Sequence, residues 1–154
     1  MKKITPFLWF DTQAEEAMNF YVSIFKNAKV GGVSRGLDGI AFSVSFELDG
    51  QEFIGLNAGP QFKFNEAVSM FVNCEDQAEV DELWSKLIAD GGGESMCGWL
   101  KDKYGLSWQI IPKLLGELMG DPDSEKSQRA MQAMLKMRKI VVADLERAHK
   151  GGHG

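Results

Sequence analysis

The sequence predicts an α+β protein in which a β-α-β-β-β unit is used twice and is followed by helices. The first observation is an internal echo: DTQAEEAMNFY begins at Asp11, and EDQAEVDELWS begins at Glu75, with Gln-Ala-Glu at the same place in both. The second is that the order of apolar periodicities around the two stretches is the same. The third is that the last forty or so residues carry helical periodicity.

The first predicted strand and helix lie on either side of Asp11. The strand ITPFLWF spans residues 4–10, and Pro6 inside it indicates either an edge strand or an irregularity in the strand. The helix TQAEEAMNFYVSIF follows, with Thr12 as its cap and Glu15 three positions on, as in a capping box. Its apolar stripe consists of Ala14, Ala17, Met18, Tyr21, Ile24 and Phe25.

Three further strands complete the first unit. NAKVGGVSR is followed by IAFSVSFELDG, in which the apolar residues occupy the even positions from Ile40 to Leu48. Such alternation predicts a half-buried strand whose even positions face the core. Asp49-Gly50 then predicts a tight hairpin turn into QEFIGL.

The second unit repeats this order. Residues 66–74, EAVSMFVNC, predict a strand, and DQAEVDELWSKLIAD predicts a helix that stops at Gly91–Gly93. Three short extended pieces follow, with a turn at Tyr104-Gly105. The helix stripe consists of Val80, Leu83, Trp84, Leu87 and Ile88, and the extended pieces are residues 94–97, 98–102 and 106–112.

The C-terminal part predicts two helices. Asp121 is the expected cap of the first, with Pro122 in its first turn, and the second spans about residues 141–149. The first has an apolar stripe of Met131, Met134, Leu135 and Met137. We therefore expect three parts in one compact domain: residues 1–60, 61–113 and 114–154.

Composition indicates a soluble globular protein of the cytoplasm. The chain has 154 residues, 44% hydrophobic and 25% charged, and a net charge of -5, which disfavours a nucleic-acid partner. The apolar runs are too short to span a membrane, and MKKITPFLWFD has no signal-peptide cleavage site. Cys74 and Cys97 form no motif spacing, so we expect two buried, inert thiols and no disulfide.

Four segments resemble a known family and together cover nearly the whole chain. They are ITPFLWFDTQAEEAMNFYVSIFKNAKV, FIGLNAGPQFKFNEAVSMFVNCEDQAEVDELWSKL, GGGESMCGWLKDKYGLSWQIIP and RAMQAMLKMRKI. They resemble the PhnB-like proteins, also labelled demethylubiquinone methyltransferase-like, of the vicinal oxygen chelate superfamily. The resemblance implies two βαβββ modules forming a cup-shaped mixed sheet, the glyoxalase/bleomycin resistance fold, with a ligand in the concavity, and a homodimer.

Metal-dependent members of this superfamily hold a divalent ion with His and Glu side chains, and the ion acts as a Lewis acid. The resemblance puts neutral residues at the matching positions: Ile4 or Thr5, Asn57, Ser69 and Gln109. Since such groups hold first-row metals poorly, we expect no transition metal and no other cofactor.

Two further observations bear on the metal. The chain has only two histidines, His149 and His153, and both lie in its C-terminal tail. A magnesium ion held by carboxylates stays open as an alternative. Its candidate ligands are Glu47, Glu52 and Glu66.

The expected ligand site combines neutral polar groups with aromatic walls, as small-molecule sites usually do. Trp108 is left out because it must face away from Gln109 on the same strand. Phe62 and Phe64, in the linker between the units, could cover the site, contact a dimer partner or fold back onto their own core. The candidate residues are Thr5, Trp9, Asn57, Phe62, Phe64, Ser69, Trp99 and Gln109.

Three functions remain open at this point. The leading one is a protein that binds a small organic molecule without a transition metal, by sequestration or by metal-independent catalysis. The second is a lyase, isomerase or dioxygenase of the superfamily, or the methyltransferase of the family label. The label is disfavoured because the only glycine cluster, Gly91–Gly93, follows a helix and not a first strand. The third is an interaction protein that uses the methionine-rich helix, residues 123–138.

Overall fold

The computed structural model describes residues 2–151. The chain divides into two compact units, Met1–Phe64 and Asn65–Gly154. We call them the first unit and the second unit. The second unit includes the C-terminal helices.

The first unit has the predicted βαβββ order. Its elements are β1 (Phe7–Phe10), α1 (Ala14–Ile24), β2 (Ala28–Arg35), β3 (Ala41–Leu48) and β4 (Gln51–Asn57). The strands form one sheet in the order β1-β4-β3-β2, in which β1 and β4 are parallel and the other pairs antiparallel. The predicted edge position of the first strand is confirmed, although β1 begins only after Pro6.

The apolar stripe of α1 packs on one face of this sheet. Five of its six predicted members are buried, and only Phe25 is half-buried. The ring of Tyr21 lies 6.0 Å from that of Phe46, and Phe46 stacks on Phe53 at 5.3 Å. Burial of this aromatic surface is the main contribution to the stability of such a core.

The start of α1 differs from the prediction. The helix begins at Ala14, and its first N–H donates to the Oδ1 atom of Asn57 at 2.8 Å. Thr12 therefore does not cap the helix. Glu15 does not reach back to complete a capping box but pairs with Arg35 at 2.6 Å. The cap is supplied from the end of β4, forty-three positions away.

The apolar alternation of β3 holds over only part of its length. Val44, Phe46 and Leu48 are buried, as predicted, but Phe42 is 51% exposed. The pairing with β2 shifts at this point and leaves Phe42 as the extra residue of a β-bulge. The bulge turns Ala41 inward in place of its even-numbered neighbours, so the prediction for Ile40 and Phe42 is wrong. The predicted turn at Asp49-Gly50 is confirmed by positive φ angles of 49° and 80°.

The second unit repeats the arrangement of the first. Its elements are β5 (Ser69–Cys74), α2 (Gln77–Ile88), β6 (Gly93–Glu94), β7 (Trp99–Lys101) and β8 (Ser107–Pro112). The sheet order is β5-β8-β7-β6, again with the first and last strands parallel. Here the helix is capped locally, because Asp76 accepts a hydrogen bond from the N–H of Glu79 at 2.9 Å. The predicted stripe of α2 is confirmed, with Ile88 half-buried.

Three helices follow β8: α3 (Lys113–Met119), α4 (Ser124–Leu135) and α5 (Val142–Lys150). Helix α3 was not predicted. The predicted start at Asp121 and Pro122 is wrong, since Asp123 caps α4 by accepting from the N–H of Glu125 at 3.1 Å. Asp121 instead contacts the Nε2 atom of His149 at 2.8 Å.

The segment between α4 and α5 is attached to α2 and to the loop before β7. The side chain of Gln77 donates to the carbonyl of Ile140 at 3.0 Å and accepts from the N–H of Val142 at 2.6 Å. The N–H groups of Cys97 and Gly98 donate to the carbonyls of residues 137 and 138. The apolar side chains in this layer are Ile111, Leu115, Ile140 and Leu145, with Met134 and Met137 packed against them.

No helix within residues 2–151 is both long enough and apolar enough to cross a membrane. His153, one of the two histidines, lies outside the described residues.

Candidate functional site

Each sheet has one face covered by its own helix, α1 or α2, and we call the opposite face the open face. In the second unit, Ile111 lies on this face at one end of β8 and is buried against Ile140 and Leu145 of the C-terminal segment. On β1, Leu8 and Phe10 are buried on the helix side, so Phe7 and Trp9 lie on the open face. Their partners on β4 are Ile54 and Leu56. The open face of the first unit is therefore apolar along β1 and β4, and Phe7 is 57% exposed.

The linker that follows β4 contributes to both sides of β1. The ring of Phe62 meets Trp9 edge-on at 4.9 Å, while the indole N–H of Trp9 donates to the carbonyl of Gly59 at 2.9 Å. The ring of Phe64 lies 5.3 Å from Phe10, which is buried on the other side. Of the two linker phenylalanines, Phe64 folds back onto its own core and Phe62 joins Trp9.

Asn57 and Thr5 are not grouped with Trp9. Asn57 pairs with Phe10 on the helix side, where its Oδ1 accepts from Ala14 and its Nδ2 donates to the carbonyl of Ala41 at 3.0 Å. Both ends of this amide are thus engaged in holding the fold. Thr5 lies before β1, and its hydroxyl donates to the carbonyl of Lys2 at 3.4 Å.

The open face of the second unit brings together three of the predicted residues. Gln109 lies between Phe71 and Trp99 in one row across β5, β8 and β7. Its amide nitrogen donates to the hydroxyl of Ser69 at 2.9 Å. Trp108 faces the other way, as predicted, and its indole N–H donates to Asp102 at 2.9 Å.

Ser107 belongs to the same face and was missed by sequence reasoning. It lies between Ser69 and Lys101 in the row next to that of Gln109. The residue is 1% exposed, and its hydroxyl has no hydrogen-bond partner among the described residues. The signal that could have found it is simple, because Ser107 is two positions before Gln109 on one strand and so shares its face.

The ionisable groups near this face neutralise one another. Lys101 forms an ion pair with Glu66, and its hydrogen bond lowers the pKa of the Glu66 carboxyl. The other two acids that were considered for magnesium lie in separate contacts: Glu47 is 3.5 Å from Lys29, and Glu52 accepts from the backbone N–H of Lys2 at 3.2 Å. Across residues 2–151, no three His, Cys, Asp or Glu side chains are grouped as ligands for a metal ion.

The two thiols occupy different environments. Cys74 is fully buried, and burial together with the nearby charge of Glu79 raises the pKa of its thiol to about 12. This confirms the prediction that Cys74 is buried, and a thiol with a raised pKa holds little of the nucleophilic thiolate. Cys97 is half-buried and has a positive φ of 60°, so the prediction of full burial is wrong for it.

The donor set of the second open face is suited to hydrogen bonding and not to holding a transition metal. A hydroxyl and an amide that bond to each other, with a second hydroxyl beside them, offer neutral oxygen and nitrogen atoms. First-row metals favour imidazole, thiolate or carboxylate ligands. The residues at these positions therefore do not fit the metal that the superfamily commonly holds.

Comparison with known proteins decides the family. A family model described as 3-demethylubiquinone-9 3-methyltransferase matches residues 2–111. A PhnB protein from Bacillus cereus is 37% identical, with a TM-score of 0.68, and the match covers 72% of this chain and 99% of that one. The chain belongs to this PhnB-like family. The match of the family model ends within β8, so the three C-terminal helices lie beyond it.

More distant structures share the fold of the family. A protein from Pseudomonas aeruginosa is 16% identical with a TM-score of 0.60, and the match covers 73% of this chain and 98% of that one. A fosfomycin resistance protein from Listeria monocytogenes is also 16% identical, with a TM-score of 0.58, and the match covers 75% of this chain and 94% of that one. The chain thus shares the fold of these two proteins. The comparison with curated proteins found no match.

Proposed function

We propose that this PhnB-like protein binds a small organic molecule on the open face of its second unit, without a transition metal. The observation that carries the proposal is the hydrogen bond between Ser69 and Gln109, of which Gln109 lies between the aromatic residues Phe71 and Trp99. A few polar groups that converge among apolar ones are typical of sites that orient a small ligand.

The chemistry of the face favours binding over catalysis. General acid-base or nucleophilic catalysis needs a group that can exchange a proton or attack near the working pH. Ser69, Ser107 and Gln109 supply neutral groups, and the charge of Lys101 is paired with that of Glu66. His149 is engaged with Asp121 in the C-terminal helices.

The test is native mass spectrometry of untagged protein, with and without added divalent metals. We expect a dimer that carries an organic mass, and we expect that added zinc or manganese leaves the stoichiometry of that mass unchanged. A dimer that binds one metal ion per chain at micromolar concentration would contradict the proposal. A native dimer with the mass of two bare chains would contradict it as well, provided that denaturing extraction of a concentrated sample also releases no organic compound.

A second candidate is the methyltransferase activity that the description of the family names. The match over residues 2–111 favours it. The loops between first strand and helix are Asp11–Gln13 and Glu75–Asp76, and neither contains the glycine-rich turn that usually holds a methyl donor. Titration with S-adenosylmethionine by calorimetry separates the candidates: binding in the micromolar range would favour the methyltransferase, and we expect none.

A further inference from the structure

The unpartnered hydroxyl of Ser107 is the starting point. A buried polar group without a hydrogen bond costs free energy, because it has lost water and gained nothing in return. Such groups are rare in native proteins, and each calls for a cause. Ser107 is 1% exposed and sits on the open face of a central strand, next to the pair formed by Ser69 and Gln109.

The three side chains together retain specific hydrogen-bonding capacity. Ser107 can donate one O–H. Ser69 accepts from Gln109 and so keeps its own O–H to donate, while Gln109 keeps a carbonyl oxygen and a second amide hydrogen. Two hydroxyl donors on neighbouring positions of adjacent strands lie about 5 Å apart at their Cβ atoms. This spacing suits one ligand oxygen that accepts from both.

The charge around the three groups selects an uncharged ligand. Lys101 is the neighbour of Ser107 in its row and is already paired with Glu66. An anionic ligand would have to displace that carboxylate. A neutral oxygen can accept from Ser107 without displacing that carboxylate.

The neighbouring row adds a preference for an aromatic ring. Phe71 is 61% exposed and Trp99 is half-buried, and they flank Gln109 on either side. A ligand ring placed over Gln109 can therefore contact both aromatic side chains by its edge or its face. We propose that Ser107, with Ser69, receives the carbonyl oxygen of an uncharged aromatic compound whose ring lies on the row of Phe71 and Trp99. This rests on the proposed function and names the class of its ligand.

Three probes of one shape test the class of ligand on the full chain. Acetophenone has the ring and a neutral carbonyl, benzoate has the ring and a negative charge, and ethylbenzene has the ring alone. Titrations followed by amide chemical shifts should show acetophenone binding at least tenfold more tightly than the other two. The shifts should centre on Ser107, Gln109 and Trp99. Equal affinity for ethylbenzene or benzoate, or no binding of acetophenone, would overturn the inference.

A variant pair tests the residue. Ser107→Ala should weaken acetophenone binding about tenfold, the effect of one hydrogen bond, and should keep or raise the melting temperature because the removed hydroxyl had no partner. Ser43→Ala, a half-buried serine on β3 of the first unit, is the control and should leave binding unchanged. A lowered melting temperature for Ser107→Ala would reveal a structural role and overturn the inference.

The outcomes separate this inference from the proposed function. If native mass spectrometry finds an organic mass while Ser107→Ala retains full affinity for acetophenone, the protein binds a ligand but Ser107 does not receive it. If neither an organic mass nor probe binding is found, both fail. A copurified organic mass that Ser107→Ala no longer carries supports both.

Discussion

The two units have the same strand order but opposite chemistry at one equivalent position. In the first unit, Phe7 on the edge strand pairs with Ile54 on the last strand; in the second, Phe71 pairs with Gln109. Both phenylalanines are more than half exposed. The first open face is therefore apolar at the position where the second presents an amide. At this position, one architecture holds an aliphatic side chain in the first unit and a hydrogen-bonding one in the second.

The last strands of the two units, β4 and β8, also end differently. Asn57 closes β4 opposite Phe10, and Pro112 closes β8 opposite Cys74. The side chain of Asn57 accepts a hydrogen bond from the first N–H of α1, whereas Pro112 has no side-chain acceptor and leads directly into α3. The second unit replaces the missing cap with Asp76 and gains the C-terminal helices. The last strand of the first unit thus ends by capping that unit's helix, whereas the last strand of the second unit continues into the C-terminal helices.

The largest effect is expected where the C-terminal helices meet the second sheet. A Cβ on Gly98 would lie 2.6 Å from Ile111 and 3.1 Å from Ile140, and φ there is +83°. Gly98→Ala should lower the free energy of unfolding by about 2–5 kcal/mol, combining left-handed strain with overpacking. Gly105 has a similar φ of +87° and open space around its Cβ position, so Gly105→Ala should lose only about 1–2 kcal/mol. Equal losses in urea denaturation would contradict the packing argument.

The next largest difference in stability is expected between variants of Gln77 and Gln13, the two glutamines of the repeated Gln-Ala-Glu stretch. Gln77 bonds to the backbone on both sides of Val141, and Gln77→Ala should cost about 2–3 kcal/mol because two part-buried backbone groups lose their partner. Gln13 holds the same place in the first unit but its side chain does not cap α1, so Gln13→Ala should change stability by less than about 0.5 kcal/mol. Hydrogen exchange should show α4 and α5 opening in the Gln77 variant while β1–β4 stay protected. Uniform loss of protection would mean that the two units do not respond separately.

The two helix caps give a smaller difference. Asn57→Ala removes the cap of α1 and the bond to Ala41 together, and should cost about 2 kcal/mol. Asp76→Ala removes a single exposed cap and should cost about 1 kcal/mol. Asn57→Asp retains the acceptor and should recover part of the loss. Thermal unfolding that ranks Asp76→Ala as the more damaging change would contradict the comparison.

The smallest effect concerns pH and the attachment of the C-terminal segment. The hydrogen bond from Lys139, and then that from Gln77, holds the pKa of Asp81 below its ordinary value. Because the folded pKa is the lower one, the contribution is complete above about pH 4 and is lost as the pH falls below it. In Asp81→Asn, the free energy of unfolding should fall slightly less steeply as the pH is lowered below about 4. Its dependence on pH near pH 7 should be unchanged. An unchanged acid limb in urea titrations between pH 2.5 and 5 would show that this pair is too solvated to matter.

Much of the fold could be read from local pattern. The predicted apolar stripes of α1 and α2 are the faces that these helices bury, and the predicted turn at Asp49-Gly50 joins two strands. These signals depend on residues close together in the chain. The predicted site residues lie in different places, because Ser69, Trp99 and Gln109 lie together while Asn57 and Phe64 serve the first core.

By itself, therefore, the sequence determined the order of the elements in the two units, their use in duplicate and the faces that α1 and α2 bury. These follow from periodicities of two and 3.6 residues and from turn chemistry, which act over short distances. Only the tertiary structure decided that Asn57 caps a helix forty-three positions earlier, that Phe42 leaves the core at a bulge, and that Ser107 is buried without a partner. Each depends on which strands become neighbours, because a side chain's partner across a sheet has no fixed distance along the chain.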